Sequence, residues 1–289
     1  MLSLGAIRDF GLAHIREGAR MKFRILFGGA IMVASAAVAT GLVGPTAIAS
    51  AQPVSMWPRA YTCTGGDFAS GNLISIPSGT YASITVKGAC AVAPGAVINV
   101  LGNVSVARGA VLDAQSAPST IRVGHDVTAA QGSLLGLGCL PNPVGHMTGH
   151  PCTVDPTGSS DITVNGNIFG TGVNTVLLNG IRVRGSVTLI GGGEQTGNPW
   201  PIKTNTIGGN VTIVGATPEW FGLVVNKIRG SVILFDDTVA TGETIQVSTN
   251  TIGRNLVCWG LAPAVSGGFS GVPNVVGGQA LGQCANLPD

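Results

Sequence analysis

Cys139, His146, His150 and Cys152 place two thiols and two imidazoles within one short segment, in the pattern Cys-x6-His-x3-His-x-Cys. Thiolate and imidazole are the ligand types zinc prefers. The spacing is not that of a usual zinc finger, and an exported chain would oxidise both thiols and leave only two histidines. The segment is therefore read as a surface loop pinned by a Cys139–Cys152 disulfide, and no metal or other cofactor is expected.

Hydrolysis or lyase chemistry on a polysaccharide needs carboxylates, or Arg and Lys, converging on one groove. Asp236-Asp237 is the only adjacent acidic pair, with Glu219 and Glu243 on either side of it in sequence. Neighbours in a strand point to opposite faces, so these two carboxyls cooperate only if a turn intervenes. Arg182, Arg184, Lys203, Lys227 and Arg229 are spaced to form a modest basic stripe. Trp200, Trp220 and Trp259 fall between repeated phrases, where they either stack on sugar rings or seal the core; sealing is favoured. Trp200, Trp220, Asp236 and Asp237 are the candidate ligand-binding residues, and no catalytic residue is assigned. Gly191-Gly192-Gly193 reads as a turn, and no phosphate-binding loop or nucleophile elbow is present.

The elements that must position these groups come from a repeat. An apolar-x-Gly-Asn/Ser-apolar-x-apolar phrase returns about every 21 residues, as in Val100–Val106, Ile207–Ile213 and Ile228–Leu234. Its shared position falls on Gly88, Gly102 and His125, then on Gly166, Gly185, Gly209, Gly230 and Arg254. A second phrase at Gly95, Gly109 and Gly132 advances in step with the first, which implies at least two strands per coil. Asn205, Asn226 and Asn250 recur four residues ahead of the shared position. They are either ordinary turn residues or a ladder of stacked amides. No amphipathic helix is evident after residue 52. Repeats of this length without helices predict a solenoid, and parallel crossovers are right-handed almost without exception. The fold expected is all-β: a single-stranded right-handed parallel β-helix of eight or nine coils, with disulfide-pinned caps at 53–80 and 261–289 and a loop insertion at 139–160.

The 289-residue chain opens on segment 1–51, read as an upstream extension plus signal peptide. Met21-Lys22-Phe23-Arg24 is its basic start, Ile25 to Leu42 its apolar run, and cleavage is expected after Ala51. The true start, Met1 or Met21, stays open. No membrane span remains after cleavage, and the mature chain is expected outside the cell or on the cell wall. Five of the 15 basic and two of the 13 acidic residues lie in this leader, so the remainder carries a formal charge of −1. That balance argues against a nucleic-acid partner. All six cysteines follow the leader: Cys63, Cys90, Cys139, Cys152, Cys258 and Cys284. Fifteen pairings exist; proximity favours Cys63–Cys90, Cys139–Cys152 and Cys258–Cys284.

The leader, the Cys63–Cys90 opening, the Ile/Val-x-Gly-Asn-Val phrase and the ending from Asn274-Val275-Val276-Gly277 to Gly282-Gln283-Cys284 resemble a family of secreted β-helix proteins of actinobacteria. The likeness covers most of residues 60–287. It implies the fold and export, and it brings no established activity or catalytic residues. The repeats also resemble, more loosely, the polymer-forming bactofilins, from which the chain departs in its leader, its cysteines and its longer coils. The role expected is a structural or surface-binding protein of the cell envelope, with polysaccharide or protein as partner. The alternative is a carbohydrate-active enzyme or binding module working along a coil face.

Overall fold

A computed structural model describes residues 57–143, 149–268 and 272–287; the leader and His146 lie outside the described residues. Every regular element among them is a β-strand, and every strand pairing is parallel. The strands stack into three sheets of ten, eight and nine strands, and the chain visits the sheets in rotation. The result is a parallel β-solenoid of about nine turns.

Each of the first eight coils has three strands, one in each sheet; the ninth has none in the second sheet. Tyr61–Cys63, Ile74–Ile76 and Gly79–Tyr81 make the first coil, so the segment expected as an N-terminal cap already contains strands of all three sheets. The first-half register also differs from the sequence reading. Val104 pairs with Ile84, which puts Ala82 and not Gly88 opposite Gly102. Gly88 lies at a different corner of the coil, where its carbonyl accepts the Val111 N–H. The apparent 14-residue step is therefore a step between corners. It misleads because each corner combines a small residue with an alternating apolar strand.

Stacking places like on like inside. Val187, Val211, Val232 and Leu256 are in register in the first sheet, and Ile207, Ile228 and Ile252 in the third. All are buried. β-branched side chains suit this pleated, one-side-buried setting.

Polar ladders hold two of the corners. At the turn from second to third sheet, the Asn226 Oδ1 accepts the Asn205 backbone N–H (2.9 Å) and Nδ2 (3.0 Å). Asn250 does the same for Asn226, and Asn274 for Asn250. Each Nδ2 also donates to a carbonyl of the preceding coil at 2.8 Å, those of Leu178, Ile202, Leu223 and Val247. Asn205, Asn226 and Asn250 are buried, so the ladder, not the ordinary turn, is what these residues form. The residues just before them, Thr204, Val225 and Thr249, hold φ of 58°, 61° and 58°. β-branched residues avoid this left-handed region, so the ladder secures a strained corner.

A second, exposed ladder runs along the corner from third to first sheet. Backbone N–H groups of Asp126, Asn167, Ser186, Asn210, Ser231, Asn255 and Gln279 each donate to the side chain one coil earlier, starting at Asn103. These are the residues that follow the shared position of the repeat.

The three disulfides are those favoured by proximity: Cys63–Cys90, Cys139–Cys152 and Cys258–Cys284. The first ties coil one to coil two. The last ties a first-sheet strand to the chain that follows the final strand, Ala280–Gly282. The insertion decorates a coil rather than replacing one, because Val127 pairs directly with Ile168 across it. Leu140 and His150 bridge within it in antiparallel fashion.

Candidate functional site

With the interior filled by stacked aliphatic side chains, outward strand positions and the corners between sheets are what is free to meet a partner. On the first sheet one outward row reads Thr62, Thr85, Ser105, Thr128, Phe169, Thr188, Thr212, Ile233, Val257, Leu281. Its early part is polar, with the Thr128 hydroxyl donating to Ser105 Oγ at 3.2 Å. The row two residues on reads Thr171, Ile190, Val214, Phe235, Trp259. In the later coils the second row is apolar from Ile190 on, and the first is apolar at Phe169 and again from Ile233 on, with Thr188 and Thr212 between them. Trp259 is 54% exposed, Ile190 46%, Phe235 44% and Phe169 41%, and Ile233 and Leu281 are comparably open. The strip runs over six strands, ~24 Å at a spacing of ~4.8 Å, and is two apolar positions wide at Ile233/Phe235 and Val257/Trp259. Exposed apolar side chains gathered in this way make the outer face of the first sheet a candidate interaction site.

The residues singled out from sequence scatter. Trp200 points into the core, fully buried beside its register partner Phe221, and its indole N–H donates to the Asn174 carbonyl at 2.9 Å. The interval between repeated phrases in which it falls is a second-sheet strand, and its burial there keeps it from meeting a ligand. Trp220 lies over Gly222 on the outer face of the second sheet, where any Cβ at position 222 would strike its ring. The Lys203 Nζ stands 5.6 Å from the centre of that ring. Trp259 is the tryptophan on the apolar strip.

Asp236 and Asp237 are separated by a turn. Asp236 takes the left-handed conformation (φ 54°) in a row where the coils on either side use Gly215 and Gly260. It is exposed. Asp237 is 1% exposed, and its Oδ1 accepts the Ala216 N–H at 2.8 Å while its Oδ2 is buried without a partner. Burial pushes its carboxyl up to about 7, against the pull of the Ala216 and Phe235 amides and with a smaller push from Asp236. One carboxyl faces water and the other the interior, so they share no substrate.

The basic stripe is partly assembled. Arg182, Thr206 and Lys227 are in register on the third sheet, and Arg184 and Arg229 follow two residues on. Lys203 leaves the stripe: it sits half-buried on the second sheet, opposite Asn179 and Val224. Burial holds its amine below the usual lysine range. His150 lies near it, its imidazole held down by burial and by the Lys203 charge, with Asp113 pulling the other way. The thiols of Cys139 and Cys152 are joined to each other. Among the described residues no three His, Cys, Asp or Glu side chains gather around a common point.

Sequence reasoning missed a groove at the corner between first and second sheets. Gly109, Gly132, Gly172, Gly192 and Gly193 line it together with Arg108, Gln131, Asn174 and Glu194, and the open concavity measures about 490 Å³. Arg108 donates to Gln131, and Asn174 Nδ2 donates to Glu194 at 2.8 Å. Left-handed φ at these glycines explains their recurrence. Glu194 is the one carboxylate lining the groove, whereas glycoside hydrolysis works with a pair.

Comparison of the chain with protein-family models, with curated proteins and with solved structures finds no match.

Proposed function

We propose that this protein is a secreted, non-catalytic scaffold of the cell exterior that binds polysaccharide through the apolar strip of its first sheet. The observation that carries the reading is the exposure of Phe169, Ile190, Ile233, Phe235, Trp259 and Leu281 in two adjoining rows. The strip is narrow. A stable protein interface needs about 800 Å² from each partner, far more than ~24 Å by two side chains supplies. A sugar chain is itself narrow and presents apolar ring faces to such a row. Three disulfides support a place outside the reducing cytosol, and no helix among the described residues is long and apolar enough to cross a membrane.

Sedimentation with insoluble cellulose and chitin tests the reading. The triple variant Ile190→Thr, Phe235→Thr, Trp259→Thr should lose at least ~10-fold in affinity, the scale of removing about 1.4 kcal/mol of contact. Equal binding by the variant would remove the strip from the account. Release of soluble oligosaccharides by the unaltered protein would replace the scaffold with an enzyme.

A further inference from the structure

The third sheet carries a second face that the apolar strip does not explain. Its outward row reads Thr163, Arg182, Thr206, Lys227, Thr251 from coil to coil. The residues two further along read Asn165, Arg184, Gly208, Arg229, Gly253. Cations therefore stand on every second coil, ~10 Å apart, with small residues between them. The gaps are enforced. A Cβ on Gly208 or Gly253 would strike the carbonyl of Arg184 or Arg229 in the preceding coil. Arg254 adds a further exposed cation at the adjoining corner.

Charge on this face is one-sided. Asp161 pairs with Arg122 and, at 3.3 Å, with Arg182. Past Asp161 no acidic residue occupies these outward rows, and Arg184, Lys227, Arg229 and Arg254 form no ion pair with a described carboxylate. Four exposed cations thus lie within three coil steps, ~14 Å, on a chain whose charge after the leader is −1.

We infer that this face binds a linear acidic polysaccharide lying along the solenoid axis, its carboxylates meeting the Arg184 and Arg229 guanidinium groups. Guanidinium recognises carboxylate in a bidentate, charge-assisted geometry. A row of cations with a low floor of Gly and Thr between them accepts an extended chain with spaced charges. The outward positions from Thr163 to Gly253 hold no aromatic side chain on which a base could stack, which disfavours nucleic acid. They hold no apolar side chain to enter a membrane interface. The inference rests on the polysaccharide reading above but uses different residues, so the two can fail separately.

The test is the affinity of the purified protein for soluble polygalacturonate, with neutral galactan as comparison, at low and physiological salt. Polygalacturonate should bind, galactan should not, and added salt should weaken binding. Arg184→Gln with Arg229→Gln should reduce affinity at least ~10-fold, since one charge-assisted contact is worth about that much. Lys87→Gln, at an exposed cation on the corner between first and second sheets, should stay within ~2-fold, and the double variant should keep its urea midpoint. The variant should also still sediment with insoluble neutral polymer. No binding, equal binding of galactan, or equal loss in Lys87→Gln would overturn the inference. So would tighter binding of single-stranded DNA or phosphatidylserine vesicles with the same dependence on Arg184 and Arg229. In each case the apolar-strip reading stands or falls on its own sedimentation result.

Discussion

Asn226→Ala tests whether the buried amide ladder holds the corner it occupies. The side chain makes four hydrogen bonds: two accepted from Asn205, and two donated, to Ile202 O and Asn250 Oδ1. At about 1 kcal/mol net for each bond, their loss costs about 4 kcal/mol. The substitution also strands the Asn205 backbone N–H, which is buried; that adds about 1–3 kcal/mol, less whatever a water entering the vacated space restores. The expected cost is about 4–6 kcal/mol. That is a large share of the stability of an ordinary domain. Asn210→Ala is the matched control. It removes one bond, from the Ser231 N–H, at an exposed corner, and should cost about 0.5–1 kcal/mol. Asn226→Asp keeps the acceptor but turns both donated contacts into oxygen facing oxygen, so near neutral pH it should cost at least as much as Ala. Urea unfolding gives the magnitudes. A solenoid can open locally, so amide exchange at Asn205 and Ile181 should accelerate before exchange in the first coils does. Equal costs for Asn226→Ala and Asn210→Ala, or a cost under 1 kcal/mol at Asn226, would refute the reasoning.

Asp237 should make stability fall as pH rises. Its carboxyl titrates near 7 in the fold, against 3.8 for the unperturbed group, so between about pH 4 and pH 7 the folded state holds a proton that the unfolded state has released. Stability is then lost across that window, by up to about 4 kcal/mol once both states are ionised. Asp237→Asn should abolish this loss, read as urea midpoints at pH 5 and pH 8; an unchanged slope would contradict it. Cys258→Ser with Cys284→Ser opens a loop of 26 residues and should cost about 3–4 kcal/mol in the chain-entropy model. Its effect should be local, with fast exchange at the Gly278 and Gln283 amides, which bond to Arg254 and Cys258, and none at Val86 or Val106.

Some of this was legible because stacking writes itself into spacing. Asn205, Asn226 and Asn250 hold one place in successive coils, so their recurrence was visible without coordinates. The disulfides followed from cysteines standing near each other at both ends. The count of strands per coil was not legible, since Gly88, Gly102 and Gly109 each begin a similar phrase at different corners. The exposed ladder was hidden because Asn103, Asp126, Ser186 and Ser231 differ in type while offering the same acceptor. Trp200 fills an inward position, in line with the core-sealing reading, but its place on a strand was not legible because that strand lacks the repeated phrase; Phe221 one coil later fills the same position. The turn between Asp236 and Asp237 depends on a left-handed residue where other coils use Gly, and a substitution of that kind leaves no mark in hydrophobic periodicity.

The outward rows separate what the fold requires from what it permits. Thr85, Ser105, Thr128, Thr188 and Thr212 share a row with Phe169 and Ile233, on strands of the same sheet whose inward neighbours are buried alike. Folding therefore does not demand an apolar residue there. Exposing one gains nothing by burial and invites association. The third sheet shows the same freedom, since Thr206 stacks between Arg182 and Lys227 without disturbing register. Both departures from neutral Thr gather in the later coils, and the two faces meet along the exposed ladder of Asn167, Ser186, Asn210, Ser231 and Asn255. That ladder fixes the spacing from coil to coil, so a polymer lying on either face would meet side chains already held at the strand interval. Little backbone conformational entropy then remains to be lost from the protein on binding. This is why a rigid, ladder-stiffened solenoid suits a repeating ligand better than it suits a compact one.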